Sequence, residues 1–199
     1  LNGMFVCKYA LETDTILYLA EAIQFLTTAP NFCLNLPILF SILVAADEFC
    51  DQIQINEDLD KTQLSNAQFF MDYEWVSNHF QNSTWKKNQS KVKKAFGLIY
   101  NKFIQQWYIN REIFSGILHK NHYEGENSLL LEDIFRIILC AKEMAIPASY
   151  LQHQLNLLLK GLEANPPMFD EDVIRLLYIP GITPTIHFTL WNLGIENIN

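Results

Sequence analysis

Between Asn35 and Ile53, the residues Ile38, Leu39, Ile42, Leu43, Ala46, Phe49, Cys50 and Ile53 follow one another at helical steps. That period builds a single stripe on an α-helix and cannot line one face of a β-strand. Asn35 suits the cap, and Pro37 suits the first turn, where its missing N–H costs nothing. The same spacing recurs along most of the chain and constrains it to an all-α fold.

From Asp14 to Thr27 the buried stripe is Ile16, Leu19, Ala20, Ile23 and Leu26, with Thr13 as cap and Pro30 as stop. Ser65-Asn66-Ala67-Gln68 reads as a capping box ahead of Phe69, Tyr73, Val76 and Phe80. After a break at Asn82 to Thr84, a long helix is predicted over Gln89 to Tyr108, and a shorter one over Asn110 to Leu118. Asn127 or Ser128 opens a helix carrying Leu131, Ile134, Ile138, Ala141 and Met144. Pro147 starts another, with Leu151, Leu155, Leu158 and Leu162 on its stripe. Asp170 caps a helix through Leu177, and Pro180-Gly181 makes a turn. Thr185 to Trp191 alternates as an extended edge strand would, but Thr183-Pro184 and Gly194 read as a helix start and stop; helix is preferred.

The expectation is a single irregular multi-helix bundle of about eight or nine helices over residues 1–199. The one candidate boundary between sub-lobes lies near 82–89, and no fixed-period repeat is present. Half of the residues are hydrophobic and 18% are charged, a balance that supplies a core and excludes disorder. No apolar run approaches the roughly 18 residues of a membrane span. The scattered cysteines Cys7, Cys33, Cys50 and Cys140 form no metal or redox pair, so free thiols in a reducing intracellular compartment are expected. Sequons at Asn82 and Asn88 carry weight only in a secreted chain.

Charge is segregated. Thr84 to Asn110 contains Lys86, Lys87, Lys91, Lys93, Lys94 and Lys102 and no acid, whereas the chain as a whole carries −8. Lys87, Lys91 and Lys94 share a helix face, and Trp85 stands just before them. Lys86, Lys87, Lys91 and Lys94 with Trp85 are therefore the candidate partner- or anion-binding residues. The partner expected is another protein, with Trp75, Trp85 or Trp191 as exposed anchors. An anionic membrane surface is the alternative. Nucleic acid is disfavoured, because an acidic chain opposes the long-range attraction such binding uses.

Asp47 and Asp51, four apart in Asp47-Glu48-Phe49-Cys50-Asp51, present two carboxylates on one helix face. The pattern resembles the aspartate-rich motif of class I terpene synthases, which implies Mg²⁺ held between the pair and a diphosphate. That family's second metal motif is not supplied by Asn127-Ser128 with Glu132. A metal-dependent enzyme using Asp47 and Asp51 is thus the catalytic alternative; the ordinary reading is a solvated helix end. Asn56-Glu57-Asp58-Leu59-Asp60 opens like a calcium loop, but Lys61 and Ala67 occupy the positions that need Gly and Glu. His119, His122, Glu124 and Glu126 have zinc-type donors on a loop without a firm third ligand. No nucleophile elbow, phosphate loop or dinucleotide fingerprint is present, and no cofactor is indicated.

Thr15 to Ala20, Phe25-Leu26 and Leu36 to Phe49 resemble the early helices of a cyclin box, which implies a kinase partner. Where that family carries a kinase-contacting Lys, this chain has Asp47 and Glu48. The lack of a catalytic constellation, the many apolar residues and the charge segregated by sign favour a non-catalytic helical protein-interaction or regulatory module.

Overall fold

The computed structural model describes residues 2–52, 67–105, 126–164, 169–183, 186, 189–190 and 193–194. Among these, the helices are α1 (Asn2–Tyr9), α2 (Thr13–Thr28), α3 (Leu36–Leu43), α4 (Asp47–Cys50), α5 (Ala67–His79), α6 (Ser83–Gln105), α7 (Glu126–Met144), α8 (Tyr150–Glu163) and α9 (Glu171–Leu176). A 3-10 turn at Asn31–Leu34 joins α2 to α3. No strand occurs among the described residues, and the chain folds as an all-α multi-helix bundle.

Helix α3 is the hub. All of its residues except Pro37 are buried, and it touches α2, α5, α6, α7 and α8. Apolar all round, it has no face to offer water. Its start follows the sequence: the Asn35 side chain accepts from the Ile38 N–H at 3.0 Å. Ser41 is buried because its hydroxyl donates to the Pro37 carbonyl at 2.7 Å. Around this hub, α2 packs on α1 and α7, α7 packs on α8, and α5 pairs with α6.

The helix predicted to run through Asn35–Ile53 is broken. α3 ends at Leu43, Ala46 is extended (φ −56°, ψ 138°), and α4 restarts at Asp47. The helix predicted from Gln89 begins instead at Ser83, because Asn82 is a cap and not a break: its Oδ1 accepts from the Trp85 N–H at 2.9 Å. Pro147 lies in a turn, and Ser149 is the residue that caps α8, accepting from Gln152 N–H at 3.1 Å. Thr13 is already helical, with Glu12 before it and no side-chain cap.

Two further details complete the frame. α1 ends at Ala10 in a left-handed conformation (φ 51°), and Arg136 of α7 reaches across to donate to the Ala10 carbonyl at 2.7 Å. Ile179 to Ile182 forms the expected turn, with Gly181 at φ 87° and Ile182 N–H donating to Ile179 at 3.0 Å. In the tail, the described residues Ile186, Thr189 and Leu190 are helical, so the extended alternative gives way there. Thr183 supports the helix, its hydroxyl accepting from the Ile186 N–H at 3.2 Å. The helix expected over Asn110 to Leu118, the Asn56–Asp60 loop and the histidines at 119 and 122 lie outside the described residues.

Candidate functional site

The two sharpest sequence features, the basic helix and the paired aspartates, meet each other. α4 packs on α6, and Lys87 Nζ lies 3.1 Å from Asp47 Oδ1. Asn88, buried between them, donates to the same Oδ1 at 2.7 Å and to the Ala45 carbonyl at 2.8 Å. Lys91 Nζ donates to the Cys50 carbonyl at 2.7 Å, placing a cation on the C-terminal end of α4. The Asn88 hydrogen bond, and after it Lys87, hold the Asp47 carboxyl below its usual range. Asp47 in turn raises Lys87.

Much of the candidate face is therefore spent inside the fold. Lys87 and Lys91 turn to α4, and Lys86 is held by Gln81 Oε1 at 2.5 Å. Lys94 is exposed, with no hydrogen bond or ion pair among the described residues. Trp85 is fully buried, its ring packed between Tyr73 and Phe80. It belongs to the core and offers nothing to a partner, a correction to its expected place as an exposed anchor. Lys87 and Asn88 both donate to one oxygen of the Asp47 carboxylate, Oδ1, and Asp51 is exposed. No group of three or more His, Cys, Asp or Glu side chains suited to a metal occurs among the described residues. The asparagines of both sequons are buried and engaged: Asn88 as above, and Asn82 with its Nδ2 donating to Glu21 while its oxygen caps α6.

A different surface emerges on the other flank of α5. Trp75 is half-buried, stacked on His79 with ring centroids 3.9 Å apart, and Phe32 meets it edge-on at 5.3 Å. The His79 ring is oriented by its Nδ1–H, which donates to the Trp75 carbonyl at 2.7 Å. Phe25 of α2 tilts against Trp75 and stacks on Phe80 at 4.8 Å. One turn before Trp75, Met71 is 66% exposed, and Phe32 is 36% exposed. These side chains form an apolar ridge on the surface.

The ridge ends in an open cleft of about 400 Å³ between α2 and the α5–α6 corner. Phe25, His79 and Phe80 supply its rings, and Glu21, Gln24, Thr28, Gln81 and Asn82 its polar groups. The sequence pointed to Trp75 through residue type alone. It gave no signal for the cleft, whose residues come from segments some sixty positions apart, as Glu21 and Asn82 are.

No known family, curated protein or solved structure matches this chain. Among the described residues, no helix is long and apolar enough to cross a membrane.

Proposed function

We propose that the chain is a non-catalytic protein-interaction module that receives its partner on the Met71–Trp75–Phe32 ridge. The observation that carries the reading is the aromatic corner itself. Trp75 is a large, rigid side chain held by Phe32, Phe25 and His79, with an exposed methionine beside it. Pre-ordered aromatics flanked by apolar neighbours are the side chains on which interface energy concentrates. They cost little entropy to present, because packing already fixes their rotamers. The exposed lysines of α6, Lys94 foremost, add a basic zone on an acidic chain, which suits steering and orientation of a partner.

The test is site-specific cross-linking with a photoreactive residue in place of Met71. The expected result is a discrete cross-linked protein whose yield drops about tenfold, the effect of losing one anchor, when Trp75→Ala is added. A photoreactive residue at Leu139, exposed on α7, serves as the control position. Identical products from both positions, or none from position 71, would overturn the reading.

A further inference from the structure

We infer that the cleft between α2 and the α5–α6 corner takes the arginine side chain of a partner protein, next to the residue that docks on the ridge. This rests on the interaction-module reading and names the chemistry of its ligand. The cleft joins one carboxylate, Glu21, to the rings of Phe25, His79 and Phe80, with the neutral polar side chains of Gln24, Thr28, Gln81 and Asn82 also lining it. Glu21 is exposed on α2; its Oε2 accepts from Asn82 Nδ2, and its Oε1 has no hydrogen bond among the described residues. No lysine or arginine lines the cleft; Lys86 is at its rim, donating to Oε1 of the lining Gln81.

The walls select the cation. Phe25 is half-buried, stacked on Phe80 and tilted against Trp75, and the exposed His79 lies flat on Trp75 with one ring face. A guanidinium is planar and weakly hydrated, so it stacks on such rings while its N–H groups reach a carboxylate. An ammonium satisfies the charge but not the stacking. Volume agrees: about 400 Å³ admits a long side chain and not a folded element. The charge also agrees, because a chain of net charge −8 attracts a basic segment. His79 belongs to both surfaces, stacking on Trp75 of the ridge and lining the cleft, so one extended segment can span them.

The experiment is a chemical-shift titration of the ¹⁵N-labelled full chain with the blocked peptide acetyl-Gly-Arg-Leu-Gly-amide. A second titration uses the same peptide with citrulline, which keeps the shape and loses the charge. The arginine peptide is expected to move the amide signals of Glu21, Gln24, Gln81 and Asn82 with a Kd on the order of 1 mM. The citrulline peptide, and the arginine peptide on Glu21→Gln, are expected to bind about tenfold more weakly. Gln at position 21 still accepts from Asn82, so the α6 cap survives and signals elsewhere stay in place. Equal shifts from the two peptides, unchanged binding by Glu21→Gln, or no shifts with the native chain would each overturn the site. If a partner still cross-links at position 71 while the arginine peptide gives no shift, the cleft assignment falls and the module reading stands.

Discussion

Asn88 Nδ2 donates to the Asp47 carboxylate at 2.7 Å and, with its other hydrogen, to the Ala45 carbonyl at 2.8 Å. One buried amide thus ties α6 to the α3–α4 break itself and to the first residue of α4. Asn88→Ala leaves the Ala45 carbonyl without that donor, and a loss of about 2 kcal/mol is expected in urea unfolding. Lys87→Ala should move the midpoint far less, because Lys87 is mostly exposed and its ion pair is screened by water. The reverse ranking would assign the break to the ion pair instead.

Acid should weaken the same contact. The Asn88 hydrogen bond and Lys87 lower the folded Asp47 value, so the unfolded chain, at about 3.9, takes up the proton first. The stabilisation is complete above that value and is lost as pH falls through the lower folded one. Unfolding midpoints measured from about pH 5 down to pH 2 should therefore fall more steeply for the native chain than for Asp47→Asn. Parallel slopes would count against the linkage.

The two tryptophans near the α5–α6 corner should separate cleanly. Trp85→Ala empties a site in the core and is expected to cost about 3–5 kcal/mol, enough to unfold a marginal domain. Trp75→Ala removes a half-buried ring, so it should retain the native circular-dichroism spectrum and lose partner cross-linking. If Trp75→Ala unfolds the chain as readily as Trp85→Ala, Trp75 is a core residue and not an anchor.

Asn82 should behave as the cap of α6. Asn82→Ala is expected to destabilise by about 1 kcal/mol, read from the urea midpoint, through loss of the bond to Trp85 N–H. Asn82→Ser keeps a capping oxygen and should recover most of that loss.

Thiol chemistry gives an independent check on burial. Burial pushes Cys33 and Cys140 up to about 12 and Cys50 up to about 11, whereas Cys7 is exposed. A thiol reagent near pH 8 should modify Cys7 quickly and the other three only after unfolding. Because those folded values are raised, stability holds below the unfolded value of about 8.5 and declines above it, as the unfolded chain ionises first. Rapid labelling of several thiols in the native chain would contradict the packing around α3.

Local signals carried most of the helices. Asn35 and Pro37 open α3, the stripe Leu151, Leu155, Leu158 and Leu162 marks α8, and Pro180-Gly181 turns the chain after α9. Each is a matter of neighbouring residues: a cap, a period, a positive φ at glycine. Asn82 was also a local signal, but Asn-Ser-Thr serves a break and a cap equally well, and only the bond to Trp85 N–H distinguishes them.

The apolar period from Asn35 to Ile53 was sufficient by itself to make this chain helical there and to bury it. It could not reveal that the helix stops at Leu43, because the donor that takes up the Ala45 carbonyl comes from Asn88, 43 residues away. Likewise the lysines of α6 and the acids of α4 looked like two open sites in one dimension. Brought together, Lys87 pairs with Asp47 and Lys91 takes the Cys50 carbonyl, so part of each feature is spent on the other. The face proposed for a partner, Trp75 with Phe32 and the cleft at Glu21, draws on residues from three separate segments. Residue type made Trp75 a candidate; only the tertiary packing put it at the surface and placed a carboxylate beyond it.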